Sequence, residues 1–169
     1  MFLYRILKKR GSMFLKPDYN LKNIYEINFK ELKEQGIKCI MFDLDSTLMV
    51  SKSGTFLPET LEWFATFSKD FETAILSNNK DTEYINNASK IAPCKVIGNA
   101  NKPNPKIMSE YLKSLGFVPK QAVMVGDRPL TDILAGKLLG CKTILVGSIN
   151  PHENLPTKFI RALERSTIR

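Results

Sequence analysis

Two aspartates, Asp43 and Asp45, stand at the end of a short apolar run. The run 38–42 predicts a buried strand, and in open α/β sheets ligands bind in the crevice at the carboxyl ends of the strands. Two neighbouring carboxylates in such a crevice repel each other and are costly to desolvate. They therefore imply a bound cation or a catalytic task. A solvated turn, in which aspartates are also favoured, is the alternative.

Three further polar clusters follow apolar segments or lie in the loops beyond them: Ser77 with Asn78, Lys102, and Asp127 with Asp132. Because the carboxyl ends of parallel strands meet at one edge of a sheet, we expect all four clusters to form one site. Several carboxylates beside a lysine and a small hydroxyl suit phosphate chemistry with Mg²⁺. This hard cation prefers oxygen ligands and is often held by a few carboxylates, waters and a substrate phosphate.

The elements that must position these clusters alternate between strand and helix signals. Apolar runs predict the strands, while helical spacing, Pro58 in a first turn and glycines at the ends predict the helices. This alternation indicates βαβ units with right-handed crossovers. We therefore expect one domain over 1–169 with an α/β, Rossmann-like three-layer fold around a parallel sheet. The predicted strands are 38–42, 73–76, 94–97, 121–125 and 142–146, and the predicted helices are 59–69, about 81–91, 106–115 and 129–139.

Composition limits the classes of function. The 169 residues are 43% hydrophobic and 25% charged, which is ordinary for a soluble globular protein. No apolar run approaches the ~20 residues that a membrane-spanning helix needs. The three cysteines match no zinc-ligand spacing, and we interpret them as reduced core residues of a cytosolic protein. His152 is the only histidine, which argues against a Ser-His-Asp triad and a histidine-rich metal site.

The net charge of +8 is concentrated at the two ends of the chain, where basic and apolar residues are interleaved. Such segments suit an anionic membrane surface or a nucleic-acid backbone, and solvated helix faces packed on the core are the alternative. We reject a signal peptide because the first stretch lacks a long apolar centre and a small-residue cleavage site. The basic residues are Arg5, Lys8, Lys9, Arg10 and Lys16 at the front and Lys158, Arg161, Arg165 and Arg169 at the back.

The polar clusters resemble the four motifs of the haloacid dehalogenase (HAD) superfamily of phosphatases. The matching segments, in the order of the family, are D-L-D-S-T-L at 43–48, L-S-N-N at 76–79, K-P at 102–103 and G-D-R-P-L-T-D at 126–132. Each motif alone is a weak signal, but four in order at predicted strand ends are a strong one. The resemblance covers about residues 36–147 and implies phosphomonoester hydrolysis with Mg²⁺ through an aspartyl-phosphate.

The resemblance implies a role for each matching residue of the centre. Asp43 is expected to be the nucleophile, and Asp45 the general acid and base. Lys102 is expected to neutralise the nucleophile and the phosphoryl oxygens. Mg²⁺ is expected to be held by Asp43, Asp127 and the main-chain carbonyl of Asp45.

Around this centre, the resemblance implies contacts with the phosphoryl group. Ser77 and Asn78 are expected to bind it, together with backbone N–H groups near the start of the following helix. Thr47 is expected among the phosphate-binding residues and as a support for Asp45. A helix cap remains the alternative for Ser77, and a turn the alternative for Asn78.

Some assignments in the last two motifs stay open. Lys106 competes with Lys102 for the role of the third-motif lysine. We assign the role to Lys102 because the matching motif is Lys-Pro and it lies nearer to the strand end. Asp132 is expected to support the metal's water ligands or the lysine, with a helix cap as the alternative. Arg128 could face either substrate or solvent.

Spacing and flanking sequence narrow the resemblance. Segments 46–76 and 78–101 leave no room for the cap domain that many superfamily members insert, and 49–56 predicts only a small flap beside the nucleophile. Segments such as F-L-K-P-D-Y at 14–19 and L-K-E-Q-G-I-K at 32–38 resemble the capless branch that includes the phosphatidylglycerophosphate phosphatases. That branch implies hydrolysis of phosphatidylglycerophosphate to phosphatidylglycerol. Ser46, where asparagine is commoner in the branch, and Pro129 are departures that remove no catalytic group.

The expected partner is a phospholipid substrate at an anionic membrane surface. A cytoplasmic protein would reach it by docking its basic ends on the inner face of the membrane, and we expect no nucleic acid as a partner. One alternative is a capless phosphatase acting on a soluble phosphomonoester or a phosphorylated macromolecule. The others are a basic binding module with a relic site and a phospho-receiver domain. The complete motif set argues against the module, and Asp45, which assists turnover, argues against a long-lived phosphoryl switch.

Overall fold

The computed structural model describes residues 15–149 together with Ala162 and Ser166. In these residues the centre is a sheet of six parallel strands in the order β1-β6-β5-β2-β3-β4. The prediction of an α/β fold around a parallel sheet is therefore confirmed. The strands are β1 (Tyr19–Asn20), β2 (Cys39–Phe42), β3 (Glu72–Leu76), β4 (Lys95–Ile97), β5 (Ala122–Gly126) and β6 (Lys142–Leu145).

Helices cover both faces of the sheet, as a parallel sheet requires. Helices α1, α2 and α3 contribute to the core on one face, and α4 and α5 to the core on the other. Strand β2 contributes to both cores because successive side chains of a strand point to opposite faces. Ile40 and Phe42 belong to the first core, and Cys39 and Met41 belong to the second. The helices are α1 (Phe29–Glu34), α2 (Pro58–Phe67), α3 (Thr82–Ile91), α4 (Lys106–Ser114) and α5 (Leu134–Leu139).

Aromatic side chains hold the end of β2 in place. Phe42, the last residue of the strand, is fully buried and lies 5.7 Å from Phe64 and 6.0 Å from Phe67, measured between ring centroids. Phe29 of α1 stacks on Phe67 at 3.9 Å. Because aromatic rings bury a large apolar area in defined geometries, they give the residue that follows Phe42 a rigid support.

The strand order reverses between β2 and β5, which are neighbours in the sheet. From β2 the chain proceeds outward through β3 and β4, then returns to β5 on the other side of β2 and continues to β6. In open α/β sheets, such a switch point opens a crevice at the carboxyl ends of the strands. Asp43 follows β2 and Asp127 follows β5, so the topology brings these two predicted residues to one crevice.

The five predicted strands agree with β2–β6 to within one residue at each end, and the helices agree within about two residues. Two differences matter. The predicted helix 129–139 begins as a π-helical turn, Pro129–Ile133, before α5. No predicted element covers β1 and α1, which have only two and six residues.

Among the described residues, no helix is both long enough and apolar enough to cross a bilayer. The basic residues at 5–10 and those from 158 onward, like His152, lie outside the described part of the chain. Lys16 is described and is exposed.

Candidate active site

A buried lysine lies between two aspartates at the carboxyl edge of the sheet. The Nζ atom of Lys102 is 2.5 Å from Oδ1 of Asp43 and 2.7 Å from Oδ1 of Asp132. The side chains of Lys102 and Asp132 are each 1% exposed, and that of Asp43 is 15% exposed. Asp43 is thus the member of the group that solvent, or a substrate, reaches most easily.

Local hydrogen bonds fix the two ends of this ion pair. The backbone N–H of Asp43 donates to the carbonyl of Val125 at 2.8 Å, so the β2–β5 pairing continues one residue beyond the strand. On the other side, the side chain of Asn78 holds the backbone of Lys102. Its Oδ1 accepts from the N–H of Lys102 at 2.7 Å, and its Nδ2 donates to the carbonyl of Lys102 at 2.8 Å.

This contact gives Asn78 a structural task that we did not predict. We expected it to bind the phosphoryl group, whereas its amide clamps the loop that carries Lys102. Ser77 is 2% exposed, and its Oγ accepts from the N–H of Asn79 at 3.1 Å. The hydroxyl hydrogen of Ser77 can still donate to a ligand. The cap of α3 is Asp81, whose side chain accepts from two N–H groups of the first turn, so the alternative of a capping Ser77 is wrong.

The position of Thr47 corrects one expectation. We predicted that it supports Asp45, but its Oγ1 lies 3.2 Å from Oδ1 of Asp127 and 3.4 Å from Oδ2 of Asp43. Thr47 is fully buried, so its hydroxyl links the two carboxylates without contact with bulk water. Because a hydroxyl has one hydrogen, it donates to one carboxylate at a time.

The side chain of Asp45 accepts hydrogen bonds from residues outside the group of Asp43, Lys102 and Asp132. The hydroxyl of Tyr84 in α3 donates to its Oδ1 at 2.7 Å, and the backbone N–H of Lys52 donates to the same oxygen at 3.3 Å. Lys52 belongs to the predicted flap, whose Met49 forms isolated bridges with Asp45 and Phe56. Burial, and then the hydrogen bond to Asp45, raise the pKa of Tyr84, so its hydroxyl stays protonated as a donor.

The fourth motif packs Asp132 against its own glycine. A Cβ atom at Gly126 would collide with the carboxyl group of Asp132, so only glycine leaves room for that carboxylate. The other oxygen of Asp132 accepts from the backbone N–H of Arg128 at 3.1 Å. Of the two expected partners of Asp132, the structure therefore shows the lysine.

The buried charged groups of the site have shifted pKa values. Burial raises the pKa of Asp43 well above its usual value. Lys102 lowers this pKa, and the neighbouring Asp132 and Asp127 raise it again. Burial alone would lower the pKa of Lys102, but Asp132 and Asp43 outweigh it and raise that pKa, so the ammonium remains charged. Asp43 and Asp132 thus contact the ammonium of Lys102, and the carboxylate of Asp127 lies close to theirs, a cluster of the kind that is common at functional sites.

The carboxylates can also receive a cation. Asp43, Asp127 and Asp132 each offer an oxygen, and these three oxygens lie within 4.8 Å of one another. Of the two aspartates that contact Lys102, Asp43 is the more exposed, so a divalent ion would reach Asp43 more easily than Asp132. A donor set of hard oxygens suits Mg²⁺. The predicted contribution of the main-chain carbonyl of Asp45 stays a prediction.

The two candidates for the third-motif lysine occupy different environments. Lys102 is buried against Asp43, whereas Lys106 is exposed at the start of α4, with its Nζ 3.9 Å from Glu110. This geometry favours Lys102.

Tyr84, by contrast, belongs to none of the motifs found in the sequence. Its position in the first turn after the cap Asp81 is visible there, but nothing in a helical pattern indicates that its hydroxyl reaches Asp45.

Comparison with known proteins places this geometry among phosphatases. The family model described as HAD-hydrolase-like matches residues 99–158. The chain is 32% identical over 153 residues to a Bacillus subtilis protein named "Probable phosphatase YqeG", covering 90% of this chain and 88% of that protein. It is 29% identical over 172 residues to the Arabidopsis thaliana protein named "Phosphatidylglycerophosphate phosphatase 1, chloroplastic/mitochondrial". That match covers 95% of this chain but only 49% of the Arabidopsis protein.

A solved structure shares the fold. It is a HAD family enzyme of Bacteroides thetaiotaomicron, in an aspartate-to-alanine variant complexed with magnesium and inorganic phosphate. The similarity has a TM-score of 0.51 at 16% identity and covers 73% of this chain and 100% of the other.

Proposed function

The chain belongs to the HAD-like hydrolases and is a phosphatase, and from this premise we propose that it hydrolyses phosphatidylglycerophosphate to phosphatidylglycerol with Mg²⁺. The observation that carries the proposed chemistry is the group of Asp43, Lys102 and Asp127 in the crevice between β2 and β5. The named substrate is supported by the similarity to the Arabidopsis relative, of which this chain spans about half.

In the first half of the proposed reaction, a carboxylate oxygen of Asp43 attacks phosphorus. The new P–O bond forms as the ester P–O bond breaks, and the leaving alkoxide takes a proton from Asp45. Lys102 lowers the pKa of Asp43, which favours the ionised nucleophile, and it neutralises phosphoryl charge. Asp43 and Asp127 would hold Mg²⁺, which would supply positive charge to screen the repulsion between the nucleophile and the phosphate.

In the second half, water hydrolyses the aspartyl-phosphate. Asp45 takes a proton from that water, so the same carboxyl group returns to its starting state and the released phosphate leaves Asp43 free. Tyr84 and the N–H of Lys52 both bind Oδ1 of Asp45, which leaves Oδ2 to carry the proton. Tyr84 is therefore a positioning residue for the general acid and base.

Phosphate release from three substrates tests the proposal. We expect Mg²⁺-dependent release from phosphatidylglycerophosphate in mixed micelles to exceed that from sn-glycerol 3-phosphate and from an aryl phosphate, and the Asp43→Asn variant to release none. A preference for a soluble phosphomonoester would overturn the lipid assignment. Release that survives Asp43→Asn would overturn the aspartyl-phosphate mechanism.

We also propose that the basic ends dock the protein on anionic lipid. Each lysine or arginine near such a surface contributes ~1 kcal/mol, so the charges within residues 1–16 would give reversible binding. Sedimentation with anionic vesicles, reversed by high salt, is the expected result. Equal sedimentation with neutral vesicles would contradict electrostatic docking.

A further inference from the structure

A polar groove lies beside the proposed active site, between the loop after β3 and the loop after β4. Its volume is about 300 Å³. It is lined mainly by two lysines, Lys80 and Lys106, and three asparagines, Asn99, Asn101 and Asn104. In the part of the chain that the structure describes, no acidic residue lines the groove. Lysine offers only donors and asparagine offers an N–H₂ group, so the lining suits an anionic ligand.

The groove and the proposed active site share the loop that follows β4. Asn101 immediately precedes Lys102, so their Cα atoms are ~3.8 Å apart. The two loops are also bonded to each other, because the N–H of Asn99 donates to the carbonyl of Asn79 at 2.9 Å and Asn78 clamps the backbone of Lys102. The same loop therefore carries Lys102, which contacts Asp43, and the asparagines that line the groove.

The two lysines are available to a ligand. Both are exposed. Within residues 15–149, Lys80 has no acidic side chain at ion-pair distance, and Lys106 has only the exposed Glu110 at 3.9 Å. Such an exposed pair is weak and yields readily to a better anion. The proposed mechanism uses neither lysine.

We propose that this groove binds a second phosphate of the substrate, a phosphodiester a few bonds away from the phosphomonoester that Asp43 attacks. This inference rests on the proposed function and deepens it, because it names the residues that would distinguish a substrate with two phosphates from one with a single phosphate. The positive charges of Lys80 and Lys106 attract the diester, and the asparagine amides donate hydrogen bonds to its oxygens.

Two soluble substrates isolate this contact. Glycerophosphoglycerophosphate, the deacylated form of phosphatidylglycerophosphate, carries both phosphates, while sn-glycerol 3-phosphate carries only the scissile one. We expect kcat/KM to be higher for the first. In the double variant Lys80→Gln/Lys106→Gln, the ratio of the two kcat/KM values falls about tenfold, mainly through KM, as the loss of two exposed charge contacts predicts.

A matched control removes the same charge elsewhere. Lys113 and Lys120 are exposed, in the last turn of α4 and in the turn before β5. The variant Lys113→Gln/Lys120→Gln is expected to keep the ratio of the parent. An unchanged ratio in the Lys80/Lys106 variant, or an equal fall in the control, would overturn the inference.

The source of the anion and the parent proposal are tested separately. If the Lys80/Lys106 variant loses activity only on anionic vesicles and keeps the soluble ratio, the groove binds a neighbouring lipid headgroup and our assignment to the substrate is wrong. Mg²⁺-dependent release from an aryl phosphate, abolished by Asp43→Asn, reports on the phosphatase mechanism alone. The groove assignment can therefore fail while the proposed chemistry holds.

Discussion

Two groups of aspartate and lysine lie at opposite ends of the same sheet. They differ in burial and in the number of carboxylates that lie close to the lysine. At the carboxyl edge, the side chains of Lys102 and Asp132 are 1% exposed, Asp43 and Asp132 share the ammonium of Lys102, and the carboxylate of Asp127 lies close by. At the amino edge, Oδ2 of Asp18 accepts from Lys137 and from the N–H and hydroxyl of Thr143, each at 2.8 Å. There the side chains of Lys137 and Asp18 are 22% and 36% exposed.

The pKa values of the two aspartates are shifted in opposite directions. Burial would raise the pKa of Asp18, but the bonds from Lys137 and Thr143 outweigh it and lower this pKa. The pKa of Asp43 is raised instead, first by burial and then by the neighbouring Asp132 and Asp127, which together outweigh Lys102. Buried charge without a matching partner costs stability, and a fold retains it where function requires it. Asp18 joins β1 to the sheet, whereas Asp43 is the nucleophile that we propose.

The largest effect is expected from one variant at the carboxyl edge, measured in two ways. Asp43→Asn removes the proposed nucleophile, and we expect phosphatase activity to fall by at least about 10³-fold. Its free energy of unfolding in metal-free buffer is expected to stay equal or to rise, since one buried charge is gone. Phosphate release and chemical denaturation measure the two effects. A large loss of stability would show that the ionised side chain of Asp43 stabilises the fold, contrary to this expectation.

Removal of the two lysines should also give unequal results. Lys102→Met leaves buried carboxylates without their partner, and we expect a loss of about 3 kcal/mol of stability and of at least about 10²-fold in activity. Lys137→Met at the amino edge should cost at most about 1 kcal/mol, because water screens an exposed pair. Equal losses in denaturation experiments would show that burial does not distinguish the two pairs.

Tyr84→Phe tests whether Asp45 is positioned by a hydroxyl. The ring and its packing remain, but the donor to Oδ1 is lost. We expect kcat to fall about tenfold with little change in KM or stability. Tyr25→Phe is the matched control, because it removes a hydroxyl that lies 3.0 Å from Thr60. A fall in stability without a fall in kcat would make Tyr84 a purely structural residue.

Asp18→Asn tests, through the pH dependence of stability, whether the charge of Asp18 stabilises the amino edge. Because the pKa of Asp18 is lowered on folding, its ionised form stabilises the protein above its ordinary value of 3.8, and that contribution disappears as pH falls further. We expect the variant to lose about 1 kcal/mol at pH 7, a small value since Asp18 is partly exposed. The difference from the parent should vanish in strongly acidic buffer, while activity at pH 7 is kept. A difference that persists in acid would contradict the role of the charge.

The smallest effect concerns backbone strain, which the site carries beside its charge. Ser46 has a φ of 66°, in the left-handed region that asparagine tolerates better than serine. Ser46→Asn is therefore expected to gain about 0.5 kcal/mol in thermal or chemical unfolding. A loss of stability would show that the serine side chain has a contact that outweighs the strain.

Much of the site could be predicted from local patterns. Apolar runs located the five longer strands, and the polar residues after them included Asp43, Ser77, Lys102 and Asp127, which lie on the strand ends or in adjoining loops. The contact of Thr47 with Asp127 and the clamp by Asn78 could not be predicted. Each joins two loops whose separation in space depends on the order of the strands.

The amino-acid sequence by itself determined which segments form strands and which chemical groups follow them. Periodicity and turn residues report on each segment's own backbone and buried face. Only the tertiary structure decided that Lys102 pairs with both Asp43 and Asp132, and that Tyr84 holds Asp45. These partners are 59, 30 and 39 positions apart in the chain, and they meet because the sheet places β3 beside β2 and β5 on the other side of β2. Local patterns carry no information about that order, since it is set by how whole helices and strands pack.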